Sequence, residues 1–270
     1  MAYELNHKLA QLSYHDADGK SIQIHADANE SFLSLPHPLE ERIKEGIAAI
    51  SLNRYPDVRS LALCRTAAAF YGVDVRNVMA GNGSDELIGI LIGAFLMKGE
   101  KLMVIEPDFT MYYFFANLYE NPLVRVGKRE DFSIDVDGVL EAVRKENPKM
   151  ILFSNPCNPT GIGLPREEVL RLVSGAADSL VVVDEAYMDF WDQSVIGEID
   201  RYDNLLVLRT CSKLVGLAGV RIGFAIASER LIRAMLAAKP LFNLNVLSQA
   251  VGQIVLESRP YLDAAKLMLM

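Results

Sequence analysis

The sequence predicts an α/β protein built on a mostly parallel sheet sandwiched by helices. Three observations carry that expectation. From about Pro38 onward, amphipathic segments alternate with short β-rich runs, the rhythm of repeated βαβ units. The run around Val181-Val182-Val183 is apolar throughout, which suits a strand covered on both faces. Polar clusters follow several runs, at Ser84 to Glu86, Asn155 to Asn158, Asp184 to Tyr187 and Thr210 to Lys213. Ligands of such sheets gather beyond the carboxyl ends of the strands.

Leu39 to Ile50 reads as a first helix, with apolar residues at Leu39, Ile43, Ile47 and Ile50 and charges between them. Leu61 to Tyr71 reads the same way, and Gly72 supplies its stop. Asn77 to Ala80 is a brief strand that runs into the turn Gly81-Asn82-Gly83-Ser84, and Asp85 to Leu96 then forms an apolar helix. Lys101 to Ile105 and Met150 to Phe153 are strands stopped by Pro107 and Pro156. Leu180 to Val183, Leu205 to Arg209 and Ile222 to Ile226 complete the strands, and Tyr261 to Met270 reads as a helix. No internal repeat or low-complexity linker breaks the pattern.

Composition narrows the function classes. The 270 residues are 51% hydrophobic, ample for a buried core, and carry 27 basic against 35 acidic residues for a net charge of −8. No lysine- or arginine-rich block occurs, so nucleic-acid binding through a basic face is not expected. Cys64, Cys157 and Cys211 are too few and too scattered for a disulfide framework, and the histidines lack the pairing of a metal site. The polar start, with Glu4 and Lys8, does not read as a signal peptide. Leu87 to Met97, the longest apolar stretch, is too short to span a bilayer. A cytoplasmic enzyme of small molecules is expected.

Four places invite chemistry. Gly81 to Glu86 lies between a strand and a helix, where free N–H groups and the helix dipole make a phosphate seat or an ordinary cap. It is neither a dinucleotide fingerprint, since Glu86 takes the third glycine's place, nor a P-loop. Asn155-Pro156-Cys157-Asn158-Pro159-Thr160-Gly161 is a stiff turn presenting two amides at one point, with one cis bond expected, best placed at Asn158–Pro159. Asp184 ends an apolar strand, where a carboxylate either caps a helix or meets a cation, metal or protonated ring. Thr210-Cys211-Ser212-Lys213 precedes a glycine-rich stretch through Gly223. There a lysine amine could form a Schiff base, and Arg221 could fork onto a phosphate.

Together these stretches resemble one known pattern. Asp27-Ala28-Asn29-Glu30, Asn53-Arg54-Tyr55-Pro56-Asp57, Gly81 to Leu87, Asn155 to Gly161, Asp184 to Tyr187 and Ser212 to Gly223 are similar to motifs of the fold type I aminotransferases dependent on pyridoxal 5'-phosphate (PLP). Within that group the chain resembles the histidinol-phosphate aminotransferase family. The resemblance implies that Lys213 holds PLP as a Schiff base and shuttles a proton between the substrate's Cα and the cofactor's C4′. It implies that Asp184 pairs with the ring nitrogen, keeping the ring an electron sink. Asn158 and Tyr187 would bond the ring's phenolic oxygen. Phe109 stands where the family stacks an aromatic on the ring, although a plain core role fits it equally. The phosphate would sit on the backbone of Gly83, Ser84 and Asp85, with Thr210, Ser212 and Arg221 around it. Tyr55 would reach the phosphate of a neighbouring subunit, which implies a homodimer with shared sites, and Asn29 would contact substrate. The substrates implied are an amino acid and a 2-oxo acid, with amino transfer from histidinol phosphate or an aromatic amino acid to 2-oxoglutarate.

Two departures qualify the resemblance. Family members continue by roughly 80–100 residues, the size of a small domain. That part carries the arginine that pairs with the substrate's α-carboxylate, and Arg259 does not match it. The chain therefore reads as a shortened form of a longer protein. The expected division is an arm and small-domain segment over 1–35, a PLP-binding large domain over 36–245, and the start of an incomplete small domain over 246–270. Second, Ser31-Phe32 follows Glu30 where the family has Asn-Pro, in a loop that shapes the substrate pocket. A PLP-dependent decarboxylase of a phosphorylated amino acid is the alternative reading, and a chain with little activity is the other.

Overall fold

The computed structural model describes residues 3, 4, 6, 8, 9 and 27–270. The arm expected over 1–35 thus lies largely outside the described residues. The remainder is built around one sheet of seven strands in the order β1-β7-β6-β5-β4-β2-β3. The strands are β1 (Val78–Asn82), β2 (Leu102–Glu106), β3 (Leu123–Gly127), β4 (Met150–Ser154), β5 (Leu180–Asp184), β6 (Leu205–Thr210) and β7 (Ile222–Ala227). Pairings from β3 through β6 are parallel, while β7 runs antiparallel to both β6 and β1. The expected mostly parallel sheet is therefore present, with one reversed strand. Its cause is the connection: Cys211 to Arg221 holds only a short helical turn, too little for the crossover helix that a parallel return needs.

Helices cover both faces. The first five are α1 (His37–Ala48), α2 (Leu61–Tyr71), α3 (Gly83–Phe95), α4 (Thr110–Leu118) and α5 (Val136–Glu146). Then come α6 (Arg166–Gly175), α7 (Glu229–Ala238), α8 (Val246–Leu256) and α9 (Arg259–Leu269). Strand residues alternate between two cores. Ile151, Phe153, Val181, Val183 and Phe224 face the side of α2, α5, α6 and α8. Leu152, Val182, Leu206, Leu208 and Ala225 face α3, α4 and α7. Burial on both sides is why these strands are apolar throughout.

α2 has the expected bounds and ends on Gly72 at φ 72°. α1 begins at His37 because Pro36 and Pro38 set its first turn. β3 was not anticipated: it is an edge strand, half buried and interrupted by Arg125, so its alternation is faint. Among the described residues no helix is long and apolar enough to cross a membrane.

The register delivers the polar clusters to one edge. Asn82 at the end of β1 pairs with Ile222, Thr210 at the end of β6 pairs with Gly223, and Ser154 at the end of β4 pairs with Asp184. Because β7 is reversed, it contributes its beginning to that edge, and Arg221 arrives just ahead of the strand. The bond Asn158–Pro159 is cis as expected, and so are Asn155–Pro156 and Glu106–Pro107.

Candidate active site

The first turn of α3 and the start of β7 form one pole of the site. α3 begins at Gly83, two residues earlier than expected, so the N–H groups of its opening turn lie at the strand edge. Gly83 adopts φ 80° and has the Arg221 guanidinium against it; a Cβ there would stand 2.6 Å from Nη2. Gly223 lies against the same turn, where a Cβ would stand 2.4 Å from the Ser84 nitrogen. The close backbone approach read from the glycine-rich stretch is thus, at Gly223, strand against helix turn. Arg221 itself sits at φ 57° and reaches Asp85 at 2.9 Å. Thr210 Oγ1 accepts from the Ser212 N–H at 3.1 Å and donates to Ser212 Oγ at 3.1 Å, holding both hydroxyls together.

Asp184 forms the other pole. It is buried, with Oδ1 accepting the Ala186 N–H at 3.1 Å and Oδ2 accepting the Tyr112 hydroxyl at 2.8 Å. Burial pushes its carboxyl up to about 7, and the Tyr112 hydrogen bond acts against that rise. Burial likewise raises the Tyr112 hydroxyl well above its ordinary value. That leaves Tyr112 a hydrogen-bond donor to the carboxylate.

Between the poles Lys213 Nζ donates to the Ala28 carbonyl at 2.7 Å and lies 5.5 Å from the Tyr187 ring centre. Asn29, at φ 50°, donates from Nδ2 to the Tyr187 hydroxyl at 3.0 Å. Residues 27–29 thereby form part of the wall of a cavity of about 290 Å³. Ser84, Asp85, Phe109, Asn158, Asp184, Tyr187, Thr210, Ser212, Lys213, Arg221 and Asn29 all line it. Gly83 stands directly behind, against Arg221. Tyr55 does not line it: the ring is 81% exposed and stacks on Phe242 with centres 4.3 Å apart. A second, wider cavity of about 540 Å³ shares Asn29, Asn158, Tyr187 and Lys213 and adds Phe190 and Trp191. Gly163 gives the Trp191 ring its seat, since a Cβ there would overlap it at 2.1 Å.

Several participants were not singled out in the sequence. Ser154 lines the smaller cavity, and its Oγ donates to Asp108 at 2.5 Å. Asp108 is buried against Lys128 at 3.6 Å. The rule that polar residues matter at strand ends would have found Asp108, two residues past β2. Tyr112 follows Phe109 by three residues, one helical turn, and that spacing was its only signal. Beneath Tyr187, Arg209 joins Glu185 at 3.0 Å and Asp189 at 2.6 Å, stiffening the segment that leaves β5.

The donor set fits one kind of ligand. Backbone N–H groups, two hydroxyls and a guanidinium at one pole suit a phosphate dianion. A buried carboxylate at the other pole suits a protonated ring nitrogen, since burying it unpaired is costly. An amine lies between, the group that could form a Schiff base with an aldehyde.

Known proteins share this architecture. The profile of the family described as aminotransferase class I and II matches residues 26–263. A histidinol-phosphate aminotransferase of Clostridium novyi (strain NT) is 40% identical over 248 residues, covering 92% of this chain and 69% of that protein. The crystal structure of histidinol-phosphate aminotransferase from Sinorhizobium meliloti in complex with pyridoxal-5'-phosphate superposes with a TM-score of 0.83 at 25% identity, covering 89% of this chain and 66% of that one. The L-threonine-O-3-phosphate decarboxylase of Porphyromonas gingivalis shares the fold, with a TM-score of 0.72 at 24% identity over 84% of this chain and 70% of that one. The chain thus spans about two thirds of the length of the relatives it matches, as the shortfall read from the sequence implied.

Proposed function

We propose, for a chain that belongs to the aminotransferase class I and II family, that it transfers an amino group from histidinol phosphate or an aromatic amino acid to 2-oxoglutarate, using PLP attached at Lys213. The observation that carries this reading is the placement of Lys213 between a phosphate seat and the buried Asp184 in one cavity. PLP supplies an electron sink for the charge left at the substrate's Cα when its proton departs. The residues of this chain would hold the cofactor and move the proton. Arg221, Thr210, Ser212 and the first turn of α3 would hold the phosphate. Asp184 would keep the ring nitrogen protonated. Phe109 would cover one face of the ring, and Asn158 and Tyr187 would bond its phenolic oxygen. Lys213 Nζ, which lines the same cavity, would be the base that takes the substrate's Cα proton and holds it for return. Asn29 and the cavity walls at Phe190 and Trp191 orient the substrate's side chain.

A homodimer completes the reading: Tyr55, exposed and stacked on Phe242, would reach the phosphate held by a partner. The proposed division places the large domain over 36–245 and a further segment over 246–270. Amino transfer is favoured over decarboxylation by the 40% identity to the C. novyi relative, whereas the decarboxylase resembles this chain in fold alone. The test is a load of PLP followed by borohydride reduction and mass analysis, expecting the adduct on Lys213 and none in Lys213→Ala. A donor screen then measures glutamate formed from 2-oxoglutarate. Carbon dioxide released without glutamate would overturn amino transfer, and an adduct elsewhere would overturn the site.

A further inference from the structure

Behind the cavity lies an ion pair that no step above uses. Asp108 is 6% exposed, and the side chains of both Asp108 and Lys128 are almost wholly buried, with Nζ and Oδ2 3.6 Å apart. Neither residue lines either cavity. Burying two charges costs desolvation that their attraction barely offsets, so stability alone is a weak reason for such a pair. Its contacts supply another. Asp108 Oδ1 accepts the Phe109 N–H at 2.8 Å and the Ser154 hydroxyl at 2.5 Å, while Oδ2 accepts the Ser154 N–H at 3.1 Å. Ser154 Oγ in turn accepts the Asn158 N–H at 3.1 Å. Lys128 bridges the same two turns from the other side, donating to the Pro107 carbonyl and to Cys157 Sγ, each at 2.8 Å. The turn carrying Phe109 and the turn carrying Asn158 are therefore fastened to one buried carboxylate. Among the described residues the Asn158 side-chain amide has no protein partner, so its backbone is tied while the residue lines the cavity.

We propose that Asp108 and Ser154 are positioning residues that set the Phe109 ring and the Asn158 amide against the cofactor ring. The proposal rests on PLP occupying the site as read above. Ser154 acts through Asn158, which a double-mutant cycle resolves. PLP dissociation constants and the visible band of bound PLP are measured for wild type, Ser154→Ala, Asn158→Ala and the double variant. Ser154→Ala is expected to weaken PLP binding about threefold to tenfold, the size of one lost hydrogen bond. It also shifts the band in the same direction as Asn158→Ala, and both effects vanish in the Asn158→Ala background. Asp108→Asn changes the same two readouts in the same direction. Ser179→Ala, which loses a buried 2.6 Å bond to the Pro148 carbonyl at the opposite sheet edge, leaves both at the wild-type value. Fully additive effects in the cycle, or an unchanged band in Ser154→Ala, overturn the proposal while leaving the functional reading intact. Failure of wild type to bind PLP overturns the functional reading and the proposal with it.

Discussion

At the scale of single residues, Asp184 sets the pH behaviour. Burial raises its carboxyl to about 7, so in the cofactor-free chain it carries a proton through mildly acid pH. Pairing with a protonated ring nitrogen requires the carboxylate, so binding must release that proton. PLP affinity is expected to fall as pH drops through about 7, measured by titrating the cofactor-free chain across roughly pH 5.5–8, which brackets that value by at least the usual scatter of about one unit for folded-state carboxyls. A flat profile would remove Asp184 from this role. Stability runs the other way. A folded-state value above the unfolded 3.8 stabilises fully below pH about 4 and loses that contribution as pH rises to about 7, a swing of order 4 kcal/mol. The cofactor-free wild type should therefore lose thermal stability over that window more steeply than Asp184→Asn. Asp184 was legible because it closes an apolar run, and Asn158 and Lys213 because they stand in polar stretches a few residues past such runs, patterns visible in one dimension. Tyr112 was not, because its importance comes from a contact made only in three dimensions, while Asp108 and Ser154, at or just past the ends of β2 and β4, were open to the strand-end rule but were not singled out.

At the scale of elements, the contact between β7 and the first turn of α3 decides the phosphate seat. A methyl added at Gly223 would meet backbone atoms of Gly83 and Ser84 at 2.4–2.9 Å, and backbone cannot step aside as a flexible side chain can. Gly223→Ala should cost about 1–3 kcal/mol in denaturant melts and weaken inorganic phosphate and PLP binding together. Gly219→Ala, which meets nothing within 4 Å, should change neither. Equal behaviour of the two would show that the close approach is not what holds the seat. The strands β2, β4, β5 and β6 were readable within a residue or so, since burial on both faces writes itself as unbroken apolar runs. Direction was harder: the reversal of β7 depends on the length of its connection, and the half-exposed β3 had too weak a pattern to stand out.

At the scale of the whole molecule, the exposed Tyr55 makes the dimer testable. If Tyr55 serves a partner's phosphate, mixing inactive Lys213→Ala chains with inactive Tyr55→Ala chains should restore activity to about a quarter of wild type. A mixed dimer then holds one site with both residues intact, and random pairing makes half of all dimers mixed. No recovery on mixing, with mixed dimers shown by mass analysis, would place Tyr55 in service of its own chain. The net charge of −8 already argued against a nucleic-acid partner, but a shared site leaves no compositional trace; only the family motif around Tyr55 pointed to it.

The reversed strand also imposes a ruler on the chain. Thr210 to Gly223 is one unbroken cassette carrying the amine, two hydroxyls and the guanidinium, pinned at both ends by the pairing of Thr210 with Gly223. On β7 the bulky Ile222, Phe224 and Ile226 face one core and the small Ala225 and Ala227 face the other. Removing a single residue from the cassette would either break that pairing or slide β7 by one place, pressing Phe224 into a space shaped for alanine. Spacing between the amine and the guanidinium is thus guarded by packing some distance from the chemistry. Substitutions within the cassette can vary more freely than its length.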